Sequence, residues 1–135
     1  MIPAGFWKAW AAAALAILIL DGLWLGLIAR NFYRDQLGDL MASQISFPVA
    51  AAFYVFYSAA IVLLASAPAI RLDGGVWQAA MLGALLGIAA YGAYDFTNLA
   101  TLKNWPVGLT IVDLIWGTIL TATVSAVGYF TLDAI

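Results

Sequence analysis

The sequence predicts an all-α integral membrane protein in which residues 1–135 form a single four-helix transmembrane bundle. The chain is 66% hydrophobic and 9% charged, whereas soluble domains contain about 25% charged residues. Four apolar stretches each reach the length of about 20 residues that a spanning helix needs; they cover 5–29, 48–70, 77–101 and 107–131. The connections between them are short, so they leave no room for a soluble domain.

Charge and absent residue types narrow the function. The net charge is −2 and the basic residues form no cluster, so we expect no nucleic-acid partner. Cysteine and histidine are both absent, which excludes disulfides, thiolate nucleophiles, axial haem histidines and the usual zinc sites. We therefore predict no cofactor and no bound metal, and we expect membrane lipids as partners.

The loops indicate how the spans are arranged. In the polar first loop, Phe32 and Leu37 interrupt the charged residues, which predicts a short interfacial helix. Pro48 suits the first turn of span two, where its missing N–H costs nothing. The third loop, 103–106, is so short that spans three and four are expected to be adjacent and antiparallel.

Two pairs of glycines have the G-x-x-x-G spacing that lets helix backbones approach closely. They are Gly22/Gly26 in span one and Gly83/Gly87 in span three. Packing inside the bundle is the favoured interpretation, and a homo-oligomer formed through either pair is the alternative.

Three aspartates fall at one depth in the predicted spans. At about 1.5 Å per residue, Asp21 lies about 24 Å from the start of span one and Asp95 about 27 Å from the start of span three. Span four runs back, and Asp113 is about 9 Å into it. In a hydrocarbon core about 30 Å thick, all three reach the leaflet next to loops one and three. Tyr54, about 9 Å into span two, reaches the same layer.

Polar and aromatic residues accompany these acids at helical spacing. Each aspartate has a companion one turn further on, namely Trp24, Asn98 or Trp116, and this spacing puts both members of a pair on one helix face. Lys103 and Arg30, at the mouth of the same side, are the available counter-charges. The predicted ligand-binding residues are Asp21, Trp24, Tyr54, Tyr91, Tyr94, Asp95, Asn98, Lys103, Asp113 and Trp116.

The cost of burying charge predicts that these faces point inward. An aspartate facing lipid near mid-membrane costs about 2.5–3.5 kcal/mol on insertion scales, so each carboxyl group needs a partner inside the bundle. Three carboxylates close together in a dry pocket are not all expected to stay ionised. The aspartates either hold the helices together as hydrogen-bonding groups or form a ligand site. We favour the site, because intramembrane acids are functional as a rule.

Three long motifs run through the chain: Leu20–Gly26 (LDGLWLG), Tyr91–Pro106 (YGAYDFTNLATLKNWP) and Val112–Gly117 (VDLIWG). They resemble those of a family of small bacterial integral membrane proteins with four predicted spans and unknown function. The resemblance covers nearly the whole chain. It implies the four-span topology and a multi-pass location in the bacterial inner (plasma) membrane, and it implies no activity.

Three functions are consistent with these features. The first is binding of a lipid or small amphiphile in a polar pocket formed by Asp21, Asp95 and Asp113. The second is an accessory structural subunit of a larger membrane complex. The third is a proton- or cation-coupled carrier acting as an oligomer, although spans one and four look too uninterrupted for broken-helix sites. Enzyme activity is not favoured, because no nucleophile stands out.

Overall fold

The computed structural model describes residues 2–135, and four of its helices are long and apolar enough to cross a membrane. They confirm the predicted all-α four-span bundle, and every predicted boundary lies within two residues of the observed one. The spans are Phe6–Ile28, Phe47–Arg71, Gly75–Thr101 and Val107–Asp133.

Helix α1 (Phe6–Leu23) contains Asp21 in its last turn and continues into a π-helical turn at Trp24–Ile28. The predicted helix in loop one is present as α2 (Arg30–Leu37). A single 3₁₀ turn, Gly38–Leu40, follows it. Span one is therefore less regular than its sequence suggests, and π-helical turns inside helices occur frequently at functional sites.

Span two also contains a π-helical turn. Helix α3 (Phe47–Ile61) passes through it at Val62–Ser66 into the short α4 (Ala67–Arg71). Pro48 lies in the first turn of α3, as predicted. The remaining two spans are regular helices, α5 (Gly75–Thr101) and α6 (Val107–Asp133).

Helices α5 and α6 form the most extensive contact of the bundle, which confirms that spans three and four are adjacent. Gly83 and Gly87 make this contact close. A Cβ atom at Gly83 would lie 2.7 Å from the Thr121 carbonyl oxygen, and one at Gly87 would lie 2.5 Å from that of Gly117. This glycine pair is thus used inside the bundle. A Cβ atom added at Gly22 or Gly26 in span one would meet no neighbouring atom within 4 Å among the described residues.

Spans two and three meet at one end and separate at the other. Span two packs on α5 mainly through Val62–Ser66 and α4, whereas α3 packs on α1 and α6. Large buried side chains fill the centre of the bundle, among them Ile17, Ile61, Leu120 and Val124. A cleft is consequently left between α3 and α5 on the side where loops one and three lie.

Candidate functional site

A cavity of about 450 Å³ occupies the cleft where spans two and three separate. All four spans contribute to its wall. Five of the predicted ligand-binding residues line it, and the structure adds Leu25, Phe53 and Ala90, which sequence reasoning did not select. The predicted five are Asp21, Tyr54, Tyr91, Tyr94 and Asp113.

Asp21 has a hydrogen-bond donor on each carboxylate oxygen. The Trp116 indole donates to Oδ1 at 3.0 Å, and the Tyr54 hydroxyl donates to Oδ2. These bonds join span one to spans two and four. Asp21 is only 5% exposed, and a buried carboxylate that accepts hydrogen bonds from both sides has its desolvation partly offset.

Asp113 is reached by a residue outside the spans. The Tyr33 hydroxyl, on α2, donates to Asp113 Oδ1 at 2.7 Å and accepts from the Trp24 indole at 3.1 Å. The Trp24 ring in turn stacks on Trp116 with centroids 4.5 Å apart and planes 9° apart. The two carboxylates therefore belong to one network of hydrogen bonds and stacked rings.

Tyr33 was not predicted as a site residue, and it remains a donor over a wide pH range. Burial raises the pKa of its hydroxyl above the ordinary value of 10.0, and the nearby Asp113 charge raises it further, against the opposing effect of the Trp24 hydrogen bond. The sequence offered one signal for it, because Tyr33 directly follows Phe32 in the amphipathic segment of loop one.

Asp95 lies behind the cavity wall, beside Asp113. It is fully buried, and neither of its oxygens accepts a hydrogen bond from any group within residues 2–135. Two ionised carboxylates cannot hydrogen-bond to each other, because each only accepts. The side chains are nevertheless close enough to do so if one carries a proton. A proton held by one of the two would therefore allow a hydrogen bond between Asp95 and Asp113.

The other predicted site residues lie off the cavity wall. Trp24 and Trp116 support the carboxylates from behind, but Trp116 bonds to Asp21 and not to Asp113 on its own helix face. Asn98 is half-buried, and Lys103 is exposed. The side-chain hydrogen bonds of Trp24 and Trp116 therefore go to residues on other helices, Tyr33 and Asp21, and not to the aspartate one turn away.

Aromatic rings form most of the remaining wall. Phe53 and Tyr54 come from α3, and Tyr91 and Tyr94 come from α5. Tyr57 of α3 and Tyr91 of α5 approach each other with ring centroids 6.3 Å apart. Tyr91 lies flat on α6 because residue 117 is glycine; a Cβ there would be 2.1 Å from the Tyr91 Cγ atom.

The fold and this cavity define a multi-pass, four-span helical membrane protein with buried acids on one side of the bundle. The chain belongs to the family described as "Predicted membrane protein (DUF2177)", whose model matches residues 6–130. No curated protein and no solved structure matches the chain.

Proposed function

We propose that this protein binds a membrane lipid or another small amphiphile, with the polar group in the cavity and the apolar chain in the cleft between spans two and three. The observation that carries the proposal is a cavity that combines two buried carboxylates with aromatic walls. Apolar walls with a few convergent polar groups are typical of small-molecule sites, and about 450 Å³ falls within their usual size range.

The shape of the cleft supports entry from the side, through the bilayer. Helix α3 packs on α1 and α6, while the contact between spans two and three is concentrated near Val62–Ser66. Phe53 and Tyr94 border the opening from opposite helices and are 47% and 55% exposed. An acyl chain between these two rings would contact apolar surface that otherwise faces the lipid chains of the bilayer. It could therefore enter the cleft directly from the bilayer without passing through water.

The polar end of the cavity supports specific recognition of the ligand's polar group, beyond simple occupation of the cavity volume. Asp21 is fixed by Tyr54 and Trp116, and Asp113 is fixed by Tyr33. Side chains held by neighbours lose little freedom when a ligand binds, so preorganisation favours affinity. We propose that the site binds its ligand without a chemical step, because the donors Tyr54, Trp116 and Tyr33 hold the carboxylates in fixed positions.

The experiment compares two alanines that are adjacent on α5. Ala90 lines the cavity, whereas Ala89 is exposed on the outside of the helix. Ala90→Phe should fill the cavity, and Ala89→Phe adds the same ring outside it. Each protein is extracted into native-membrane nanodiscs, transferred to a mild neutral detergent and analysed by native mass spectrometry for retained lipid.

We expect wild type and Ala89→Phe to retain a bound lipid that Ala90→Phe loses. Equal retention in the two variants, or no retained lipid in wild type, would overturn the proposal. Stable co-purification of other membrane subunits with all three proteins would instead favour an accessory role in a larger complex.

We further propose the bacterial inner membrane as its location, with loops one and three in the cytoplasm. Arg30, Arg34 and Lys103 belong to these loops, while Lys8 and Arg71 lie toward the other side. The positive-inside rule then puts both ends of this chain outside. A reporter fused after Ile135 tests the orientation: activity of a reporter that works only in the cytoplasm would reverse it.

A further inference from the structure

We infer that the polar group bound at this site is a protonated amine, held by Asp113 and surrounded by the tyrosine rings of the cavity. The inference rests on the proposed function and specifies the class of amphiphile: one with an ammonium headgroup, in preference to an anionic or uncharged one.

The charge of the cavity is the first reason. Its ionisable lining consists of Asp21, Asp113 and three tyrosines, and none of the lining residues found within 2–135 is basic. The nearest candidates in sequence for binding an anion, Arg30 and Lys103, are exposed. An anionic headgroup would therefore meet like charge in a poorly solvated space, whereas a cation would be attracted.

The balance of donors and acceptors is the second reason. Tyr33, Tyr54 and Trp116 already donate to the carboxylates. Asp113 lines the cavity and accepts from Tyr33 through one oxygen, Oδ1, so the four carboxylate oxygens of Asp21 and Asp113 meet three donors within residues 2–135. The site thus has more acceptors than donors. An ammonium group supplies three N–H donors and no acceptor, which is the complement of this arrangement.

The Asp95–Asp113 pair is a third reason to expect a bound cation. Asp95 is fully buried with no donor among residues 2–135 and faces Asp113, which lines the cavity. Adjacent carboxyl groups repel unless a proton or another positive charge offsets one of them. A cation bound at Asp113 from the cavity side provides that charge.

The aromatic wall selects an organic cation over a metal ion. Tyr54, Tyr91 and Tyr94, with Phe53, surround the space next to the acids, and aromatic faces attract ammonium groups through their quadrupoles. Residues 2–135 contain no group of three or more His, Cys, Asp or Glu side chains arranged to hold a metal ion. A metal would find too few ligands here, whereas an alkylammonium finds carboxylate, rings and space for its chain.

The test uses probes that differ only in the headgroup on one alkyl chain: dodecylammonium, dodecanol and laurate. Each is added to the full chain in neutral maltoside micelles, and bound probe per protein is counted by native mass spectrometry. The same titrations are run on Asp113→Asn, which is close in shape to aspartate but uncharged, and on the Ala90→Phe and Ala89→Phe variants. Tyr91→Leu is the second site variant, in case Asp113→Asn does not fold.

We expect wild type to bind dodecylammonium at least about tenfold more tightly than dodecanol, the size expected of one charge-assisted hydrogen bond, and to bind laurate more weakly still. Asp113→Asn should remove most of this preference, Tyr91→Leu should reduce it, and Ala89→Phe should keep it. Competition of potassium or magnesium chloride with dodecylammonium, beyond the effect of ionic strength measured with a bulky organic salt, would overturn the inference in favour of an inorganic cation.

The outcomes separate this inference from the proposed function. If all three probes bind equally and Ala90→Phe abolishes their binding, the protein binds amphiphiles but the ammonium preference is wrong. If no probe binds wild type, or if Ala90→Phe binds them as wild type does, both proposals fail.

Discussion

The two ends of the bundle bury polar groups in different ways. At the end near loop two, the Ser66 hydroxyl donates to the Ser125 carbonyl oxygen at 2.8 Å, and the Ser125 hydroxyl donates to that of Ala79 at 2.7 Å. We call this region the hydroxyl end. At the opposite end, which we call the acid end, the carboxylates of Asp21 and Asp113 accept from side chains around a cavity.

The difference distinguishes structural polar groups from those of the proposed binding site. At the hydroxyl end, both serines are fully buried and each donates to a backbone carbonyl of another span, so the bonds are satisfied within the protein and the helices pack closely. At the acid end, Asp95 has no donor within residues 2–135 and open space remains. Buried polar groups without partners call for an explanation, and a proton held between Asp95 and Asp113, or a cation bound to Asp113 from the cavity, would provide one here.

The largest expected effect lies at the hydroxyl end, where the backbones of α5 and α6 pack closely. Gly83→Ala would bring a Cβ atom 2.6 Å from the Ser125 Cβ and 2.7 Å from the Thr121 carbonyl oxygen, so α5 and α6 would have to separate. We expect a loss of roughly 3 kcal/mol in the free energy of unfolding, at the upper end for overpacking, seen as a lower melting temperature in detergent. Gly22→Ala is the matched control and should be near neutral, because no atom lies within 4 Å of its added methyl group in the described chain. Equal effects of the two would contradict the packing described here.

A smaller loss is expected at the acid end from Asp21→Asn. Asparagine keeps one acceptor oxygen and replaces the other by an NH₂ group, so the Trp116 indole and the Tyr54 hydroxyl can no longer both donate to the side chain. An unsatisfied buried donor costs about 2 kcal/mol. The melting temperature should fall, and the Trp24–Trp116 stacking should be disturbed in the near-ultraviolet circular dichroism.

Asp95→Asn is the counterpart of that substitution and should behave in the opposite way. Its amide would donate to Asp113 without needing a proton, so the fold should be kept and the melting temperature unchanged or raised. If Asp95→Asn destabilises the protein as much as Asp21→Asn does, the Asp95–Asp113 pair does not share a proton.

The spans could be predicted from sequence because hydropathy and length decide them locally. The depth of the acids could also be predicted, since the rise per residue is fixed by the helix. Depth does not determine which faces meet, however. Trp116 shares a helix face with Asp113 but donates to Asp21 across the bundle, and this depends on how α1 packs against α6.

Two features of the acid end had no adequate signal in the sequence. The bond from Tyr33 to Asp113 spans 80 residues and requires α2 to fold back over the bundle, which hydropathy does not encode. The cavity exists because α3 and α5 separate beyond Tyr57 and Tyr91. The separation of two helices depends on tertiary packing. The apolar residues that line the resulting space cannot be distinguished in the sequence from residues of a filled core.

The smallest expected loss of stability concerns Tyr33, which joins loop one to the acid end. Tyr33→Phe removes the donor to Asp113 and the acceptor for the Trp24 indole. At neutral pH we expect this substitution to lower the free energy of unfolding by about 1 kcal/mol.

Tyr33→Phe should also change how the stability of the protein depends on pH in the alkaline range. Because the pKa of Tyr33 is raised in the fold by burial, the folded state holds its proton more tightly than the unfolded state does. This contribution is fully present below the unfolded pKa of 10.0 and is lost as pH rises above it. The melting temperature of wild type should therefore fall more steeply above pH 10.0 than that of Tyr33→Phe, while Tyr129→Phe, a tyrosine far along α6, should follow wild type. Parallel curves for wild type and Tyr33→Phe would mean that Tyr33 is not buried against Asp113, and α2 would then not close the acid end.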